Sequence, residues 1–149
     1  MKIGVLFPPR FEDPGEFLAD ARAIEAAGAD SVWLDDSADG FDPLLVLAAI
    51  AAVTSQLRLG LIRETHSSSG DPRRSATLDQ LSRNRLIPGS ERWRPVDVPA
   101  NREAWAKTIE SAADGAADGV LVPMDPRLLD ILRHPNDVID RSDLILAQG

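Results

Sequence analysis

Four Asp-Pro pairs punctuate the chain, at Asp13-Pro14, Asp42-Pro43, Asp71-Pro72 and Asp125-Pro126, and the first three stand 29 residues apart. Fixed spacing of this kind marks a repeated structural unit. An aspartate carboxylate accepts hydrogen bonds from the orphan N–H groups of a helix's first turn, and a proline just after it gives up no bond there. Each pair therefore predicts a helix start. After the first pair, Glu16 stands three residues beyond the cap, Phe17, Ala21 and Ile24 share one helical face, and Gly28 supplies the stop.

Short apolar segments separate these helices: residues 3–7, 31–34, 57–62 and 120–123, with two more at Leu86-Ile87 and 144–147. A helix over residues 73–85 leads into Leu86. Strands that are apolar throughout and alternate with amphipathic helices predict a parallel sheet covered on both faces and linked by right-handed crossovers. The fold class is α/β, built of parallel (β/α) repeats with about six strands. A closed eight-unit barrel typically takes about 250 residues, so 149 residues suit a shortened, TIM-barrel-like domain over residues 1–149. Such a sheet either closes with fewer strands or stays open and covers its edges by self-association, for which a homodimer is the expectation.

The stretch 90–100, rich in Pro, Arg and Trp, lacks helical period and predicts a loop or an irregular edge strand. Asn101 then caps a helix to Asp114 that buries Trp105, Ile109 and Ala112 or Ala113, and a short last helix runs from Pro126 to Arg133. The chain has no cysteine, which excludes disulfides, thiolate metal sites and cysteine nucleophiles. Its longest apolar stretch after the N-terminus, Pro43–Val53, is half of the roughly 20 residues a membrane span needs. A cytoplasmic protein that binds no membrane is the expectation. A net charge of −8 disfavours nucleic acid. Residues 63–94 nonetheless carry seven arginines against four acids, a local +3, which invites an anionic ligand or else reflects solvated helix faces.

Several pieces, in order, resemble the bacterial-luciferase-like family of flavin- and deazaflavin-dependent oxidoreductases. They are the run Ala26-Ala27-Gly28-Ala29-Asp30-Ser31-Val32-Trp33-Leu34, an alanine-rich helix ending at Thr54-Ser55, and Leu57-Arg58-Leu59-Gly60. Beyond these come Pro72, Thr77-Leu78-Asp79, Leu81-Ser82, Arg85 and Gly89. The series covers about the first 90 residues. The resemblance implies a barrel with FMN or an 8-hydroxy-5-deazaflavin coenzyme over the carboxyl ends of the strands, the general location of active sites in such barrels. It implies cofactor contacts at Leu61, Ile62, Arg63, Gly89, Arg92 and Trp93. Catalytic candidates are His66, in the loop 63–70, and Asp36.

The same residues carry departures from the family. Asp35-Asp36-Ser37 stands where relatives carry a Glu-His type pair, and neighbouring strand residues point to opposite faces, so at most one of the two carboxylates reaches a common site. Ser82-Arg83-Asn84-Arg85 replaces a Ser-Gly-Gly-Arg turn, although Asn tolerates the left-handed region. Asp71 at the cap of its helix opposes phosphate binding there, leaving Arg63, Arg73, Arg74 and Arg92 as anion partners. Trp33 reads as core, and Trp93, in the segment 90–100, as the better stacking candidate. His134 reads as a helix-end cation. Two distant histidines and no His-Glu pair give no metal site, and no Gly-x-Ser-x-Gly elbow is present. A noncatalytic, flavin- or partner-binding relative is the alternative to an oxidoreductase.

Overall fold

The computed structural model describes residues 1–63 and 72–133. The elements are β1 (Lys2–Leu6), α1 (Pro14–Ala26), β2 (Ser31–Asp35), α2 (Pro43–Val53), β3 (Arg58–Ile62), α3 (Pro72–Leu81), β4 (Trp93–Pro95), α4 (Arg102–Asp114), β5 (Gly119–Pro123) and α5 (Pro126–Arg133). The predicted strand 144–147, His134 and the Asp71 cap lie outside the described residues. All five strands are parallel, in the order β3-β2-β1-β5-β4. Leu86 adds a sixth, one-residue parallel rung on the outer side of β3 by bridging Leu59. Sheet neighbours are thus chain neighbours except at the β1–β5 join, the seam a closed barrel makes between its first and last strands, while the chain neighbours β3 and β4 stand at opposite edges. The molecule is an arc of a (β/α) barrel, and among the described residues it stays open between Leu86 and β4.

Local chemistry accounts for the helix starts. Asp13 Oδ1 accepts from the N–H of Gly15 at 2.9 Å and of Glu16 at 3.3 Å, and Asp42 Oδ1 from Leu44 at 3.0 Å. Asn101 Oδ1 accepts from Ala104 at 2.8 Å. Asp125 accepts from the Arg127 side chain and backbone, which together hold its carboxyl below the ordinary range. Phe17, Ala21 and Ile24 form the buried stripe of α1, and Gly28 follows it at φ 94°, a left-handed stop that suits glycine.

The two faces of the sheet are covered differently from the sequence expectation. All five helices contribute to one aliphatic layer, in which Val5, Val32, Leu59, Val120 and Val122 meet Ile24, Leu47, Ile50 and Leu128. Among the described residues the opposite face carries no helix. Strand alternation sends Gly4, Trp33, Gly60, Gly119, Leu121 and Trp93 inward, and Trp33, Trp93 and Leu121 form a separate core with Leu6, Ile62 and Ile87 against it. The reason is topological: in a barrel arc the second face is the barrel interior. Trp33 lies over Gly4 and Gly60, and Trp93 over Gly119, so a methyl group at any of the three would overlap an indole ring. The two rings are tilted at 5.0 Å between centroids, and Trp33 Nε1 donates to the buried Ser31 Oγ at 2.9 Å.

A polar clamp fixes the corner between α2 and β3. Glu25 accepts from the N–H groups of Ser55, Gln56 and Leu57 at 3.0, 2.9 and 2.8 Å. Burial raises its pKa, but those three bonds and the Arg85 charge outweigh that, so the carboxyl titrates below its ordinary value. Arg85 donates to the carbonyls of Ala51, Thr54, Leu57 and Ser82 and to Thr54 Oγ1. The preceding turn places Arg83 and Asn84 at φ 58° and 64°, the left-handed path that glycines would take without strain.

Candidate functional site

The carboxyl end of β3 opens onto a cleft of about 550 Å³, within the range of small-molecule sites. Two backbone hydrogen bonds build it. Leu59 N donates to Arg85 O at 2.9 Å and Ile87 N to Leu59 O at 2.7 Å, which lays Leu86-Ile87 beside β3 and sends Pro88-Gly89-Ser90-Glu91 along the cleft wall. Leu44, Leu61, Leu86 and Ile87 give an apolar floor. Arg63, Ser75, Ser90 and Glu91 supply the polar rim. Arg63 donates to Ser75 Oγ in the first turn of α3 at 3.2 Å, and the Glu91 carboxylate folds over Gly89, where any side chain would collide with it.

Three of the expected site residues, Leu61, Arg63 and Gly89, converge on this cleft. Ile62 points to the other face of β3, against the tryptophan core. Arg92 and Trp93 line an adjoining, smaller cavity of about 280 Å³, which shares Ile87, Pro88, Gly89 and Glu91 with the cleft and reaches Lys2, Arg58 and Asp118. Arg92 pairs with Asp118 at 3.2 Å. The expectation of an exposed Trp93 is corrected: it opens β4, is 8% exposed, and packs on Trp33 in the interior. Its apolar area is worth more inside the arc than on a loop. Of the acidic pair, Asp36 is exposed and past the end of β2, whereas Asp35 shares the inward parity of Ser31 and Trp33 and is half-buried. Asp35 accepts from Ser37 N at 2.9 Å. His66 and most of the loop 63–70 lie outside the described residues.

The positive middle segment is largely engaged in structure. Arg74 pairs with Asp42 beside the α2 cap, Arg85 holds the α2–β3 corner, and Arg92 holds Asp118. Arg58, just before this segment, pairs with Asp30 at 3.0 Å. Among the described residues lining the cleft, Arg63 is the one cation, and it donates there to a neutral hydroxyl. Sequence reasoning missed Ser75 and Glu91, because nothing in their local pattern tells which cleft a helix's first turn or a loop acid borders. Asp35 was legible by counting in twos from Trp33.

The family model for luciferase-like monooxygenases matches residues 1–89, more than half of the chain, so the chain belongs to the luciferase-like monooxygenase family. A solved structure of similar fold is the coenzyme F420-dependent tetrahydromethanopterin reductase of Methanopyrus kandleri, with a TM-score of 0.50 at 22% identity. The match covers 72% of this chain and 29% of the reductase. No curated protein matches the chain.

Proposed function

We propose that this protein is a flavin- or deazaflavin-binding oxidoreductase of the luciferase-like family, one shortened barrel domain over residues 1–149, cytoplasmic and homodimeric. The observation that carries the reading is the convergence of Leu61, Arg63 and Gly89 on one cleft at the carboxyl end of β3, where barrel sites lie. The residues fit the ring of such a coenzyme better than its phosphate tail. The floor of Leu44, Leu61, Leu86 and Ile87 suits a flat apolar body. Arg63 offers a guanidinium to a ring oxygen or ring anion, while Glu91 opposes a phosphate. Hydride chemistry belongs to the coenzyme when bound, and the protein contributes orientation and exclusion of water. Asp35, half-buried and inward, replaces Asp36 as the carboxylate nearest the strand ends.

One observation favours a second reading, a noncatalytic coenzyme-binding relative. Trp93 fills the barrel interior with Trp33, so the arc is plugged beneath the strand ends and Trp93 is not available to stack on a ring. The test is an absorbance titration of the purified protein with FMN and, separately, with oxidised and reduced deazaflavin coenzyme. Saturation at micromolar concentration, weakened by Arg63→Ala, supports the proposal, and turnover with a screened substrate separates enzyme from binder. No spectral change with any of the three overturns both readings.

A further inference from the structure

A carboxylate drawn partly out of water is costly unless something answers its charge. Six half-buried carboxylates occur among the described residues, and five are answered. Glu25 is met by backbone N–H groups, Asp30 by Arg58, Asp35 by Ser37, Asp79 by the N–H of Leu86 and Asp125 by Arg127. The sixth is Asp20 of α1. Among the described residues it accepts no hydrogen bond and meets no cation.

Asp20 borders a hollow of about 330 Å³ at the carboxyl ends of β1 and β5, at the small end of the range for small-molecule sites. Phe17, one turn earlier on α1, and Phe7, just past β1, are buried beneath it, with the half-buried Met124 beside them. Pro8, Pro9 and Pro123 form the exposed rim. Among the described residues that line this hollow, Asp20 is the one that carries charge.

The walls are already fixed. Phe7 N donates to Trp33 O and Met124 N to Leu6 O, both at 2.9 Å, and Pro9 O accepts from Phe41 N at 3.0 Å. Phe7 and Phe17 meet edge to face at 5.2 Å. With three prolines of fixed φ at the rim, an occupant has little chain left to order. The approach is acidic as well, since Glu16 stands one turn before Asp20 on α1 and Arg10, in the loop before α1, is engaged with Asp39 at 3.2 Å.

These features choose among ligands. An anion would meet a carboxylate and no side-chain donor. A neutral apolar molecule would strip water from Asp20 and give nothing back. A cation with an apolar body satisfies both parts of the hollow. We infer that it binds a small organic primary ammonium ion, whose body fills the space over Phe7, Phe17 and Met124 and whose ammonium donates to the Asp20 carboxylate. The inference does not rest on the coenzyme reading, because the hollow and the cleft share no lining residue.

Isothermal titration calorimetry of the 149-residue chain is the test, with phenethylamine as the probe and 2-phenylethanol as its neutral counterpart of similar shape. The amine should bind about tenfold or more tightly than the alcohol. Asp20→Asn, which circular dichroism should show folded, is expected to weaken the amine by about tenfold, roughly 1.4 kcal/mol, and to bring the two ligands level. Met124→Trp fills the hollow while keeping the carboxylate and should abolish binding. Asp97→Asn, at an exposed carboxylate lining a different hollow, should leave the affinity unchanged. No binding of the amine, equal affinity for the alcohol in the wild-type chain, or an equal loss in Asp97→Asn overturns the site. Tighter binding of Nα-acetyl-lysine methylamide than of phenethylamine would assign the hollow to a protein's lysine side chain and overturn the small-ligand reading.

Discussion

The two faces of one sheet solve the same burial problem with different means. On the helical face many aliphatic side chains of moderate size interdigitate, each touching several neighbours from five helices. On the inner face two indole rings laid over three glycines do most of the filling. Redundant packing lets the first face absorb a lost methylene. The second rests on two large side chains and a close approach that only glycine permits. In a closed barrel, side chains from all the strands would share that interior, whereas here a partial ring concentrates the task in few positions.

The sharpest way to break this comparison is Trp33→Ala, which opens a cavity in the inner core and strands the Ser31 hydroxyl that now accepts from the indole. It should lower unfolding free energy by about 4 kcal/mol, against about 1 kcal/mol for Ile50→Val on the helical face. Comparable losses in urea melts would show that the faces are equally redundant. Gly60→Val comes next, at about 3 kcal/mol, since the added side chain meets the Trp33 ring.

A third change probes the corner joining the faces. Glu25→Gln should cost about 2 kcal/mol at neutral pH by weakening three charge-assisted bonds to backbone N–H groups. Because the folded pKa of Glu25 is lowered, the carboxylate's contribution is fully present above its ordinary value of 4.5 and is lost as pH falls through the lower folded value. Denaturation midpoints of wild type and variant should therefore converge in acid. A constant gap down to the acid limb would remove the carboxylate from the account.

In the cleft, Arg63→Ala should weaken coenzyme binding about tenfold, equivalent to roughly 1.4 kcal/mol, with no change in melting behaviour, since Arg63 is exposed and bonds only a rim hydroxyl among the described residues. The smallest effect expected is a gain: Arg83→Gly relieves a left-handed non-glycine residue at φ 58°. Its benefit of about 0.5 kcal/mol is what remains after the extra unfolded-state entropy of glycine. A loss instead would show that Arg83 makes a compensating contact.

The first cap pair, the α1 stripe, the Asn101 start of α4 and the bounds of α5 were legible residue by residue, because capping and helical period are local. The resemblance to luciferase-like proteins was equally legible, in motifs that fall within residues 1–89. For the site, Leu61, Arg63 and Gly89 were legible as residues near the end of β3, while Arg92 and Trp93, close to Gly89 in sequence, line the adjoining smaller cavity, which Gly89 also borders. The chain from Gly89 to Trp93 crosses from one end of the arc to the other, and its direction is set by contacts with β3 and β5 that no local pattern encodes.

The sequence by itself determined the alternating units and most helix starts, since Asp-Pro caps, glycine stops and periodicity act over a few residues, although α3 ends at Leu81 and not at Arg85 as its period suggested. Tertiary structure alone decided that the helices gather on one face and that Trp93 joins Trp33 inside rather than waiting on a loop. It also decided which apolar residues of α2 remain exposed. These outcomes depend on which surfaces meet when β5 closes against β1, and burial is a property of that meeting, not of the residue that is buried.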